Sequence, residues 1–445
     1  MYKIPKMSID KICDILEAKR LGLNKEITYI STNSKESNGE EFIFFAFKGE
    51  KYDGFDFRNE AIKNGACAMV SERNSCEIST ILVEDVKKAY GLLAKEISKG
   101  QKKICVTGSA GKTTVSNMIK AVLSKKYSVG GTYKNENNEI GVPITLLKGQ
   151  KCEFNVIEMG MRGLGQIDWL SSLCEPEISV ITNVGSAHIE KLGSKENVFK
   201  AKTEILTYTK SVAVLPCDER FEKFKNSKFK TVFVGNGGDL ECLSYRFTNE
   251  GAEFDIKCFE DIFCGFKIQG FSLHNITNSM FAIAVGIICG VNILDIKEAL
   301  QLYKGEEMRE EIIQINGLTV INDCYNASYE SMKNAIFNLK KYCEIKDKAA
   351  NAIVGDMLEL GQSSREMHYR IGEMAKDCGI KKLIAIGEYA DNVLDGYMGG
   401  IKCNSVSEAV EFVRENLCEN DVLLIKASRG MRLEKILCEM RKENE

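Results

Sequence analysis

Histidine is scarce in this chain, and closely spaced cysteine pairs are missing. The 445 residues hold three histidines, and none of the 17 cysteines stands in a CxxC pair. An odd cysteine count without such pairs argues against a disulfide framework, and so few histidines argue against a structural zinc site. A reduced cytosol is the expected setting. Excess charge is missing too: 60 basic and 63 acidic side chains leave a net charge of -3, so no global field recruits nucleic acid or an anionic membrane. Any phosphate must be held locally. Long apolar runs are also absent. The longest, Met280 to Val291, is too short to span a bilayer, and the opening Met1-Tyr2-Lys3-Ile4-Pro5-Lys6 lacks the apolar core of a signal peptide. Neither nucleic-acid binding nor membrane insertion is expected, and a cytoplasmic location is.

What is present is the material of a globular α/β protein. Hydrophobic residues make up 44% and charged residues 28%, enough apolar side chains for several cores. A chain of this length divides into roughly two to four domains. The most informative stretch is Lys103-Ile104-Cys105-Val106-Thr107-Gly108-Ser109-Ala110-Gly111-Lys112-Thr113-Thr114, an apolar strand running into a glycine turn and then a helix. Its glycines let backbone N–H groups close around an anion, Lys112 adds a mobile positive charge, and the Thr113 hydroxyl suits magnesium. Val115, Met118, Ile119, Val122 and Leu123 then give the helix one apolar face to lie on a sheet. The spacing GxxGKTT is two residues shorter than the common GxxxxGK[ST] phosphate loop.

Residues 1–81 read as a small α/β unit with strands at Ile27–Ile30 and Phe42–Phe47. Ser34, Lys35, Lys48, Asp53 and Gly54 lie in the turns that follow these strands, where they either hold a diphosphate or sugar or simply make the turns. A helical stretch, Val83 to Lys99, leads into the phosphate strand. Residues 132–143 are too polar for a strand. Asn135, Asn137 and Asn138 suit sugar or base recognition or a solvated loop, and Pro143 argues against a helix there. Two more strands end in Glu158 and in Asn183 and His188, which a parallel sheet would bring beside Gly108 to Thr113. A carboxylate is expected next to the magnesium of a nucleotide. Lys202, on a helix from Phe199 to Leu206, reads by itself as a solvated charge. Residues 229–271 suggest an antiparallel hairpin turning at Thr248-Asn249-Glu250-Gly251, and His274 to Asn278 open a helix rich in small residues. From residue 308 strands and helices alternate again, as in a second doubly wound domain, with no second phosphate loop.

These motifs together resemble the Mur ligases, the ATP-dependent amino-acid and peptide ligases of peptidoglycan assembly. The likeness rests on GSAGKTT, NENNEIGVP, EMG, ITNVGSAHIE, AKTEI, HNITN, the Met308-Arg309 junction, NDCYNASYESM, GDMLELG with His368 following, and KASR. The combination of YNA and GDMLELG is the specific part. The resemblance implies a three-domain α/β fold: a UDP-sugar-binding N-terminal domain at 1–81, a central P-loop ATPase-like doubly wound domain with an appended antiparallel hairpin at 82–307, and a C-terminal Rossmann-like domain for an incoming dipeptide at 308–445. It implies a monomer that uses ATP and two magnesium ions to join D-alanyl-D-alanine to the terminal carboxylate of a UDP-N-acetylmuramoyl-tripeptide through an acyl phosphate.

By the same resemblance the loop from Gly108, Ser109, Ala110 and Gly111 to Lys112, Thr113 and Thr114 cradles the phosphates, with Lys112 on the β- and γ-phosphates. Thr113, Glu158 and His188 organise the metal, and Lys202 matches a carbamylated lysine whose CO₂ adduct is an anionic metal ligand. Asn278 meets the adenine with His274 nearby. Arg309, Asp323 and Asn326 reach the nucleotide or the dipeptide, and Tyr325 closes with them. Ser34, Lys35, Lys48, Asp53, Gly54, Asn135, Asn137, Asn138 and Asn183 hold substrate. The chain departs from the family pattern at Asn322, at Ser328-Tyr329, at Lys35 and at Ala427; Lys35 stands for an arginine and cannot make a planar bidentate contact. Folylpolyglutamate synthase shares most of these motifs, and a nucleotide-binding relative without catalysis is a further alternative. The long segment before the phosphate loop argues against the former, and the joint presence of Lys112, Thr113, Glu158, His188 and Lys202 against the latter.

Overall fold

The computed structural model describes residues 1–185, 192–358 and 360–442. Two compact units are distinguished by their internal contacts: one of Met1–Gly185, Glu196–Val234 and Phe281–Asn292, the other built mainly from Gly235–Met280 and Ile293–Glu445.

The first unit carries two sheets. The N-terminal one comprises β1 (Tyr2–Ser8), β2 (Lys19–Leu21), β3 (Glu26–Ser31), β4 (Phe42–Phe45), β5 (Ala66–Ser71) and β6 (Ser79–Leu82), in the order β1-β3-β4-β5-β6-β2. Strands β3 to β6 pair in parallel, and the short or irregular β1 and β2 pair antiparallel at the edges. All four residues of β4 are buried, as a parallel strand covered on both faces requires. One cover is helix Val86–Ile97, whose Tyr90 packs edge-on against Phe45 at 5.0 Å and Phe47 at 5.4 Å.

The second sheet of this unit is wholly parallel. It contains β7 (Lys102–Thr107), β8 (Val129–Gly131), β9 (Phe154–Glu158), β10 (Ile178–Ile181), β11 (Val212–Pro216) and β12 (Lys230–Val234), in the order β12-β11-β10-β7-β9-β8. The chain fills one side of β7 first and the other side afterwards. The carboxyl end of β7 is therefore the switch point at which such sheets bind ligands, with β9 and β10 on either hand. Pro143, taken from the sequence as evidence against a helix, lies in the first turn of helix Gly141–Lys148. A first-turn N–H has no intrahelical acceptor, so its loss costs the helix nothing.

In the other unit β13 (Leu240–Thr248), β14 (Gly251–Cys258) and β15 (Asp261–Ile268) form an antiparallel meander. The expected hairpin is present, with Thr248 opposite Gly251, but it is extended by a third strand. The last sheet comprises β16 (Glu311–Ile315), β17 (Leu318–Asn322), β18 (Ala349–Gly355), β19 (Lys382–Ile386), β20 (Ile401–Cys403) and β21 (Asp421–Lys426), ordered β16-β17-β21-β18-β19-β20. Only β16 runs antiparallel to its neighbour. Successive residues feed opposite cores: Leu383 and Val422 join Ile336 and Leu339 on one face, while Ile384 and Leu423 join Ile436 and Leu437 on the other. That alternation is the doubly wound pattern the sequence indicated. Among the described residues no helix is long and apolar enough to cross a membrane.

Candidate active site

The phosphate loop leaves β7 at the switch point and is braced from β10. Gly108 has φ +155°, and a Cβ there would lie 2.0 Å from Thr182 Oγ1, so no other residue fits without displacing the loop. Gly111 is left-handed at φ +76° and starts helix Lys112–Leu123. The Ala110 carbonyl accepts from Thr182 Oγ1 at 2.6 Å and from Asn183 Nδ2 at 3.0 Å, while its N–H donates to Asn183 Oδ1 at 3.0 Å. The Ser109 N–H donates to the Asn183 carbonyl at 3.1 Å. Asn183, expected to hold substrate, thus has its side-chain amide turned onto the loop. Lys112 Nζ donates back to the Gly108 carbonyl at 2.9 Å, which folds its charge over the loop.

Beside the loop, Thr113 Oγ1 donates to Glu158 Oε2 at 2.7 Å and Asn137 Nδ2 donates to Oε1 at 2.8 Å. The Glu158 N–H donates to Thr132 Oγ1 at 2.9 Å, and the residue is only 3% exposed. A buried carboxylate held at both oxygens by neutral donors is well placed to gain a cation. Asn138 Oδ1 accepts from the backbone N–H groups of Ile140 and Gly141 at the start of helix Gly141–Lys148, and Asn135 is exposed on the same loop. The loop 132–143 is therefore part of the carboxylate's support.

Lys202 overturns its expected solvated role. It lies at 0% exposure near the end of helix Lys195–Thr203, and its Nζ has no hydrogen-bond partner among the described residues. Burial holds its pKa well below the ordinary lysine value, and the like charge of Lys112 adds to this, against the pull of Glu158 and Glu204. An amine kept neutral is the form that adds CO₂. An orphaned buried amine beside Glu158 thus fits a carbamate-forming lysine, and with Thr113 and Glu158 it fits a metal site. Among the described residues no three His, Cys, Asp or Glu side chains cluster as a metal cage. His188 lies outside the described residues.

In the N-terminal sheet's loops, Ser34 Oγ donates to Glu60 Oε2 at 2.5 Å. Asp53 caps the turn at Phe55 N at 2.9 Å and pairs with Arg73 at 2.7 Å. Gly54 packs so closely that a Cβ would lie 2.7 Å from the Ala46 carbonyl carbon. These three shape the loops, whereas Lys35 and Lys48 are exposed cations available to an anionic ligand.

In the second unit the Arg309 guanidinium stacks over the Tyr325 ring at 3.8 Å, and Asp323 pairs with the buried Lys426 at 2.6 Å. Asn278 is buried at 9% exposure on helix Leu273–Ile288, and His274 N–H donates to Ser272 Oγ at 3.2 Å. Reasoning from sequence did not single out Lys426 or Glu310. Lys426 carried the signal of a strand end and of the KASR motif, and nothing in the sequence reveals that it is buried.

His368 anchors the GDMLELG segment. Its Nε2 accepts from the Met357 N–H at 2.9 Å, and its Nδ1 lies 2.7 Å from the Ser364 carbonyl, so the ring is neutral with the proton on Nδ1. The ring stacks on Tyr389 at 4.6 Å, and burial lowers its pKa. The unfolded imidazole takes up a proton near pH 6.5 while the folded one resists, so the unfolded state binds more protons and stability is lost as the pH is lowered. Denaturant unfolding of the second unit should show a loss of stability below about pH 6.5, and His368→Gln should flatten it. An unchanged slope in the variant would remove His368 from that account.

A glycine loop at the switch point of a parallel sheet, a lysine above it and a threonine–carboxylate pair beside it define a P-loop nucleotide-using α/β protein, here joined to a second doubly wound sheet. The Mur ligase middle domain matches residues 106–286, and the Mur ligase glutamate ligase domain matches residues 308–429. The UDP-N-acetylmuramoyl-tripeptide--D-alanyl-D-alanine ligase of Bacillus subtilis is 36% identical over 412 residues, 89% of each chain. A crystal structure of MurF from Acinetobacter baumannii superposes with a TM-score of 0.90 at 26% identity, over 99% of this chain and 100% of that one. MurF ligase from Thermotoga maritima in complex with ADP gives 0.84 at 29% identity, over 93% and 97%. The chain belongs to the Mur ligase family and is an ATP-dependent amide-forming ligase.

Proposed function

We propose that this protein joins D-alanyl-D-alanine to the terminal carboxylate of a UDP-N-acetylmuramoyl-tripeptide. The observation that carries the reading is the near full-length likeness to a ligase of that name, at 36% identity over 89% of each chain. It would act in the cytoplasm as a monomer, in peptidoglycan precursor synthesis and hence in cell-wall growth, cell shape and division. The N-terminal domain, 1–81, would carry the UDP-sugar, with Lys35 and Lys48 toward the diphosphate. The central domain, 82–307, would carry ATP, and the C-terminal domain, 308–445, the dipeptide.

A carboxylate is a poor acyl donor, so the peptide's terminal carboxylate attacks the γ-phosphate of ATP, releasing ADP and forming an acyl phosphate. The dipeptide amine, once deprotonated, attacks the acyl carbon, and phosphate leaves as the amide forms. Lys112 offsets the charge that spreads over the transferring group, and the amides that open the helix at Gly111 to Thr114 orient it. Thr113, Glu158, His188 and carbamylated Lys202 are the residues that would hold magnesium, which supplies Lewis-acid stabilisation of the phosphates. Asn278, Arg309, Asp323 and Asn326 would complete the nucleotide site, and Tyr325 the dipeptide side. Water must be kept from the acyl phosphate until the amine arrives.

The test is release of ADP and phosphate by the purified chain with each substrate omitted in turn. Turnover is expected only when the UDP-muramoyl tripeptide and D-alanyl-D-alanine are both present. Turnover that ignores the dipeptide, or that needs glutamate instead, would overturn the reading.

A further inference from the structure

We infer that Lys426 is a positioning residue for the nucleotide-binding loop Asp323–Asn326. The inference rests on the reading of Asp323 and Asn326 as nucleotide contacts. Strands β17 and β21 are paired with Asn322 opposite Ile425, and the Asp323 N–H donates to the Ile425 carbonyl at 2.9 Å, so the loop leaves the sheet directly beside Lys426. Lys426 is 2% exposed, and a lysine so deeply buried needs acceptors for all three ammonium protons. Among the described residues its Nζ finds them in this loop alone: Asp323 Oδ2 at 2.6 Å, the Asn326 carbonyl at 3.0 Å and the Asp323 carbonyl at 3.5 Å. One cation thus sets a side chain and two carbonyls within four residues.

The pairing is one-sided in a useful way. Asp323 Oδ2 is taken by Lys426, while among the described residues Oδ1 meets only the Glu310 N–H, at a long 3.4 Å. The Asp323 side chain keeps 13% exposure, so Oδ1 is the oxygen left to accept from a ligand hydroxyl. Local charge makes the lysine necessary. The Glu310 carboxyl, held by Asn338 at 2.7 Å and Asn275 at 3.1 Å, is pushed up to about 7 by burial and then by the Asp323 charge, with Lys426 opposing. Removing Lys426 would leave two neighbouring carboxyls without their shared cation, and Asp323 would turn toward water. Other bonds keep the loop attached to the sheet, such as Ser428 Oγ to the Ala327 carbonyl at 3.2 Å. Asp323 and Asn326 should therefore lose orientation before the unit loses its fold.

The experiment compares wild type, Lys426→Met, Asp323→Asn and the double variant. It measures ADP affinity by calorimetry, KM for ATP and for the dipeptide, kcat, and the melting temperature. Lys426→Met should weaken ADP binding and raise KM for ATP roughly ten- to hundredfold, the range expected of a charge-assisted hydrogen bond. Its kcat at saturating ATP should move by less than about threefold. Because both residues act through one carboxylate, the double variant should bind ADP no worse than Asp323→Asn alone. The double variant also removes the unpaired buried charge, so it keeps the test available if Lys426→Met does not fold. Wild-type nucleotide parameters in a folded Lys426→Met, or multiplicative losses in the double variant, would overturn the inference. ADP affinity is read without turnover, so a wild type that binds ADP but ligates nothing would count against the proposed substrates and leave this inference standing.

Discussion

Lys202→Met is expected to raise the melting temperature of the first unit while abolishing ligation. The wild-type amine is fully buried with no hydrogen-bond partner among the described residues, and burial together with Lys112 disfavours its charge. An unsatisfied buried polar group costs about 1–3 kcal/mol, and methionine fills a similar volume without that cost. Calorimetry on protein prepared without bicarbonate should show an upward shift of a few degrees. Turnover should fall by three orders of magnitude or more, on the scale seen when a whole element of transition-state stabilisation is removed. Such a pair of results would mark a site that is destabilising when empty and essential when filled, and so one kept for function. A lower melting temperature in the variant would mean that the amine has a partner in the resting protein, and the orphan-amine account would be wrong.

Lys112→Ala should cost at least a hundredfold to a thousandfold in kcat, because it removes a side-chain cation folded over the phosphate loop at Gly108. ADP binding should weaken as well, although the loop amides and the Asn183 brace remain. The variant has a second consequence that a purely local role would not produce. Lys112 is a like charge acting on Lys202, so its loss should make the Lys202 amine more basic. Single-turnover ADP release measures the first effect, and a pH titration of Lys202 modification measures the second. Turnover within tenfold of wild type would displace Lys112 from the transferring phosphate.

Much of the fold was legible because its signals are local. An apolar strand, two glycines, a lysine and an amphipathic helix follow one another within Lys103 to Leu123, and no distant residue is needed to read them. The alternation beyond residue 308 was equally plain, since β18, β19 and β21 are continuous apolar runs between amphipathic helices. The edge strands β1 and β2, the outer strand β15 and helix Ala390–Tyr397 were missed. Edge strands bury one face or none, so β15 with only two buried residues shows little periodicity.

The sequence named candidate site residues but not which neighbours they engage. Asn137, from a polar loop, and Asn183, at a strand end, were expected to hold substrate, and the structure shows one bonded to Glu158 and the other to the phosphate loop. Lys202 by itself read as solvated, because most helical lysines are, and only the resemblance gave it a metal role; the packing of its helix shows it stripped of water. Lys426 was visible only as a strand end opening the KASR motif, and its three acceptors come from a loop about a hundred residues earlier in the chain.

By itself the sequence determined the order of strands and helices, the phosphate-binding loop and, through its motifs, the family, because each depends on residues within a turn or two of one another. The tertiary structure decided which charges are buried, which oxygens are already engaged and which amines lack a partner. Those properties belong to the space between elements, where solvent is excluded by residues far apart in the chain. Burial can make a lysine a neutral reagent at position 202 and a rigid anchor at position 426, although the two side chains are chemically identical.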